Sequence, residues 1–221
     1  MNKLAVLVVV SLLSGCATVE KVALDPTTSA GMKGKSIVRT TRAAKPDFVA
    51  MTPTKGALGM LGALAAISAG NELVKEHHID VPADAIALEL GNQLNAGRGM
   101  AFVAAPLAIA TDDASGIAAA ADGKADYVLD VQTTSWAFGY FPTAWGRYHV
   151  RHTAIARVID VASKKIVVQN GCARAIANAE NTDLAPTYDD LMNNQALGLK
   201  NQLTLAANEC AAKLKQDMLA L

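Results

Sequence analysis

The chain has 221 residues, 52% of them hydrophobic, with 20 basic and 20 acidic side chains. That length suits one domain, or one domain on a tether, and is enough to bury a substantial core. The charge balance gives no electrostatic basis for binding nucleic acid, so no nucleic-acid partner is expected.

Lys3 makes a short basic start, and the apolar run Leu4–Leu13 ends in Leu13-Ser14-Gly15-Cys16. The run is too short to span a bilayer comfortably and closes on small residues, as a cleaved signal does. The segment resembles a bacterial lipoprotein signal peptide with its lipobox. That resemblance implies removal of residues 1–15, acylation of Cys16 with palmitate-type chains, and a membrane anchor. Ala17 stands where inner-membrane lipoproteins usually carry Asp, which implies an outer-membrane lipoprotein facing the periplasm. No second run approaches the ~20 apolar residues of a transmembrane helix.

Residues 16–35 lack clear periodicity and contain Pro26-Thr27-Thr28-Ser29. They are expected to form a lipidated tether, leaving a single periplasmic domain over 36–221. Lys35–Arg42 and Asp47–Met51 predict short strands, separated at Lys45-Pro46. Gly56–Gly70 is apolar all round, with Gly56, Gly59 and Gly62 at every third position. Such a helix is buried against another backbone. It lies within the domain, at an oligomer seam, or on a membrane surface. Val81-Pro82 opens a helix to about Asn95, with Ile86, Leu90 and Leu94 on one face and a stop at Gly97-Arg98-Gly99. Met100–Ala105 predicts a buried strand. Thr111-Asp112-Asp113 marks the start of a short Ala-rich helix that ends at Gly123.

Alternation is clearest over 125–176. Tyr127, Leu129 and Val131 alternate with Asp126, Asp130 and Gln132, and two further strands cover Arg147–Val161 and Lys164–Ile176. From Pro186 the period turns helical, with Thr187 as N-cap and Asp189 and Asp190 in the first turn. The expected fold class is α/β (α+β): an antiparallel β-meander packed against helices, one of them long and C-terminal. Cys172 shares a strand face with Ile166 and Val168. Cys210 lies on a helical stripe with Leu199, Leu203, Ala206, Leu214 and Met218. Both thiols therefore face one core. In an oxidising compartment they form a candidate disulfide, the alternative being two reduced buried cysteines.

The order of a helix and strand, then Ala125-Asp-Tyr-Val-Leu129, then a hairpin with Ala156-Arg-Val-Ile-Asp-Val161 and Lys165-Ile-Val-Val168, resembles a known domain type. It is similar to the α/β domain of the curli-assembly lipoprotein and of the TolB amino-terminal domain, over residues 82–176. Relatives often have Thr-Gly at the second turn, where this chain has Ser163-Lys164. The resemblance implies a periplasmic assembly role and transfers no functional residue.

Residue chemistry points away from catalysis. Gly34-Lys35-Ser36 lacks the glycine that a phosphate-binding loop needs five positions earlier, where Ser29 stands. His77 and His78 are adjacent, and His149 and His152 point to opposite faces of a strand, so neither pair has zinc-site geometry. No Gly-x-Ser-x-Gly or His-Glu-x-x-His is present. No catalytic residue, metal site or cofactor is expected. Six of the ten aromatic residues cluster between Ser135 and Tyr148. Trp136, Phe138, Tyr140, Phe141 and Trp145 sit beside Gly139 and Pro142, where a hairpin tip would offer them to a partner. Cross-strand packing within the hairpin is the alternative. The chain is expected to be a non-catalytic, lipid-anchored assembly or accessory subunit. Its partners would be the membrane and an envelope protein or another copy of itself. A lipoprotein that binds cell wall or polysaccharide is the second expectation, and an envelope hydrolase the third.

Overall fold

The computed structural model describes residues 20–177 and 179–219; the signal segment and Cys16 lie outside them. One six-stranded mixed sheet organises the chain. Its strands are β1 (Ser36–Thr41), β2 (Phe48–Ala50), β3 (Ala101–Ala108), β4 (Tyr127–Phe141), β5 (Ala144–Asp160) and β6 (Lys165–Ile176). They run in the order β3-β1-β4-β5-β6, with β2 also beside β4. The β4-β5-β6 portion is the antiparallel meander that alternation predicts. The corrected part is its flank, where β1, β2 and β3 join in parallel. Parallel strands need helical crossovers. Residues 53–98 supply one through α2 (Pro53–Gly56), α3 (Gly59–Glu76) and α4 (Pro82–Arg98).

Period-2 alternation sends successive side chains of β4 to opposite faces. Leu129 and Val131 pack with α4 and with α6 (Tyr188–Leu214), whereas Val128 packs with α5 (Ala114–Ala121) on the other face. Asp113 caps α5 by accepting from the Gly116 N–H. Thr187 and Asp190 cap α6 reciprocally. Asp113 and the Asp189-Asp190 pair thus serve helix starts, where carboxylates satisfy free N–H groups and the dipole, whereas Asp112 is bonded to Arg42 and Gln132. Cys172 of β6 and Cys210 of α6 are joined as a disulfide, their Cα atoms 5.5 Å apart.

Three local departures follow from tertiary packing. Residues 20–35, expected to be a free tether, lie against the domain. Val22 exchanges backbone hydrogen bonds of 3.0 and 2.9 Å with Gln169 on the edge of β6. The helix α1 (Pro26–Gly31) is capped by Asp25, and Met32 is fully buried. β3, expected to be buried, is an edge strand paired only with β1 and largely exposed. Finally, α6 kinks at Asn193–Ala196, where Asn194, Gln195 and Ala196 take left-handed conformations. Leu191 before the kink and Leu199 after it both reach the same core cluster.

Candidate functional site

The aromatic segment is strand, not loop. β4 runs to Phe141 and β5 resumes at Ala144, so the tip is only Pro142-Thr143. A bulge between Thr133 and Ser135 turns Trp136 inward beside β2. Trp136 is 1% exposed, meets Phe48 edge-on at 5.0 Å, and donates from Nε1 to the Pro46 carbonyl at 3.0 Å. Phe138 is buried among Phe48, Tyr148 and Tyr188. Phe141 is buried against His149. The five-ring contact surface expected from sequence therefore does not form. Tyr140 is partly buried, and Trp145 alone is well exposed, at 68%. Packing wins because β2 and α3 cover this half of β4, which a hairpin read in isolation does not reveal.

A charged cluster that sequence reading missed sits where the sheet has a gap. β1 pairs with Tyr127–Leu129 and β2 with Trp136–Phe138, and the intervening part of β4 faces the 42–46 connection. Asp130 is fully buried there. It accepts from Thr40 Oγ1 at 2.6 Å, Arg42 Nη1 at 2.8 Å, Arg157 Nε at 2.8 Å and Gln132 Nε2 at 3.1 Å. Burial pushes its carboxyl upward. The bonds from Arg42 and Thr40 and the charges of Arg42 and Arg157 more than offset this, leaving it below the ordinary range. Every oxygen is committed, so Asp130 acts as a clamp tying β1, β4 and β5 together. Nothing in the spacing of 42, 130 and 157 links these residues; only the sheet order does.

Beside the clamp lies a groove of about 520 Å³, lined by Arg42–Pro46, Val81, Ile109 and Val131–Thr133 among others. Thr133 Oγ1 is 3.0 Å from Nε2 of the fully buried His152, whose pKa burial pushes down to about 4. The spacing is that of a hydroxyl and its base. His152 Nδ1 has no hydrogen-bond partner among the described residues. Among the described residues there is no group of three metal-ligating side chains, and no helix is long and apolar enough to cross a membrane.

The exposed feature is the amino-terminal half of α3. Its small residues face inward. A Cβ at Gly62 would lie 1.7 Å from the Lys55 carbonyl oxygen, and one at Gly70 would lie 1.9 Å from that of Phe48. The helix is therefore seated on α2 and β2 through its glycines, and its large side chains are left outside. Leu58, Met60, Leu61 and Leu64 are 60, 83, 74 and 62% exposed. No charged residue occurs from Gly56 to Asn71. A patch of this kind is unusual on a solitary soluble surface and marks a contact. It lies at the hairpin end of the molecule, because Gly56 abuts Tyr140 and α3 runs back from there toward Phe48. Trp145, Leu184 and Tyr188 are exposed at the same end. The 185–186 backbone is bonded there to Arg147 and Tyr148.

No family model matches the chain, and no curated protein matches it. Among solved structures, it is similar to a PelC dodecamer from Paraburkholderia phytofirmans, at 16% identity and TM-score 0.41, over 90% of this chain and 94% of that one. It is also similar to protein CT253 from Chlamydia trachomatis, at 9% identity and TM-score 0.40, over 85% and 100% of the two chains. The lipoprotein GNA1162 from Neisseria meningitidis is a further neighbour, at 16% identity and TM-score 0.26, over 81% and 99%.

Proposed function

We propose that this chain is a lipid-anchored cell-envelope protein that works without catalysis, as an assembly or accessory subunit docking through its apolar end. The observation that carries the proposal is the uncharged face of Leu58, Met60, Leu61 and Leu64, exposed on a helix whose other side is fully used for folding. The Leu13–Cys16 lipobox pattern supports the anchor and, with it, a periplasm-facing position on the outer membrane. Two or more acyl chains would hold the chain far more firmly than one. The polysaccharide-binding alternative loses most of its basis, since four of its five rings are wholly or partly withdrawn into the domain. Mild-detergent extraction and pull-down of the full chain tests the reading. A protein co-purifying with it, including a second tagged copy, is the expected result. Retention on purified cell wall with no protein partner would overturn it.

A further inference from the structure

We infer that the occupant of the exposed α3 face is the same face of a second copy of this chain. The inference rests on the anchored reading above and deepens it. Residues 16–19 separate the lipidated Cys from Glu20, whose carbonyl accepts from Gln169 Nε2 at 2.8 Å. Four residues reach at most about 14 Å. The chain is therefore held close to the bilayer near Gln169. Gln169 stands opposite Arg157, and twelve residues of β5 separate Arg157 from Trp145. That is about 40 Å of strand. The short link fixes one region at the membrane, while the apolar face lies well beyond its reach at the other end of the hairpin. Every copy anchored in one leaflet carries its α3 face at the same place relative to its anchor. Lateral encounters then bring like faces together at a raised effective concentration.

Chemistry favours the same occupant. Met60, Leu61, Leu64 and Ala65 fall at helical spacing along the outward side of α3, an apolar stripe suited to pairing with another helix. A foreign partner is usually selected by complementary charge. Here none is on offer, because Lys55, the nearest charge, turns its ammonium onto the Ala50 carbonyl at 3.0 Å. Two copies meeting face to face oppose no like charges, and a twofold contact requires only that a surface complement itself.

Cysteine cross-linking of the full chain in its own membranes tests this. With Cys16 acylated and Cys172 bonded to Cys210, an introduced cysteine is the free thiol. Leu61→Cys and Leu64→Cys should each give an oxidative product of twice the monomer mass. Leu205→Cys, exposed on α6, should give at least tenfold less. Adding Leu61→Asp to Leu64→Cys should lower the dimer fraction at least tenfold. Absence of a dimer band, adducts to a protein of another mass, or shielding of the thiols by lipid would each overturn self-association. Membrane retention of Cys16→Ser would sink the anchored reading instead, and the dimer band reports on the α3 face either way.

Discussion

Trp136 is the residue whose role changes most between pattern and fold. Ring clustering at a hairpin suggests a contact surface, yet the indole is enclosed by Phe48 and bonded to Pro46. Truncating a buried aromatic ring costs ~3–5 kcal/mol. The Trp136→Ala/Phe141→Ala variant should therefore show a large fall in melting temperature, or fail to fold, when followed by circular dichroism. His152 gives a second residue-scale expectation. Burial holds it neutral down to about pH 4, against 6.5 for an unhindered imidazole. As pH falls through 6.5 the unfolded chain takes up a proton that the folded chain refuses, so the contribution of His152 declines until about pH 4 and then levels, while the lowered carboxyl of Asp130 extends the decline below that. The His152 part of the loss is of order 3 kcal/mol. His149, also lowered by burial and by Arg151, acts in the same direction. Denaturant titrations across that range should show the decline. His152→Gln, which cannot titrate, should make it shallower.

Among the elements, the disulfide joins β6 to α6 across a 38-residue separation. Closing such a loop contributes roughly 4 kcal/mol in the chain-entropy model. Cys172→Ser/Cys210→Ser should lose stability of that order in urea unfolding, and a variant as stable as the parent would show the bond to be dispensable. Cys210 was legible because it lies on a periodic apolar stripe that reports its facing; Cys172 shares its face with Val168 as expected, but a bulge beside Val158 turns Ile166 to the opposite face. The same logic located β1, β2, α4, α5, the meander and the Thr187 cap. It failed wherever a partner distant in sequence decides the outcome. The parallel pairing of β1 with β3 and β4 leaves no trace in local alternation. Asp130, which alternates with the core residues Leu129 and Val131, is buried because Arg42 arrives from the connection after β1 and Arg157 from β5. Of the glycines at every third position, only Gly62 makes the expected backbone approach; Gly56 ends α2 against the Tyr140 ring, and Gly59 takes a left-handed conformation where α3 begins. The spacing could not say that α2 and β2 would fill the inner side of α3 and leave Leu58, Met60, Leu61 and Leu64 outside.

At the scale of the whole molecule, the amino-terminal link lies at β6 and the apolar face at the turn end of the β4–β5 hairpin. If Cys16 carries the anchor, Cys16→Ser should move the protein from the membrane fraction to the soluble periplasmic fraction with its melting temperature unchanged. Cys16 precedes the residues that pack on the domain. Docking through α3 is the central claim, and Leu61→Asp/Leu64→Asp tests it most directly. Both side chains are exposed, so folding should barely notice the change, whereas an apolar contact cannot accept two buried carboxylates without large cost. Melting temperature and co-purification should be measured together on the full chain in mild detergent. The account predicts a variant that melts within a few degrees of the parent and has lost its association. A variant that melts like the parent and associates as fully would contradict it.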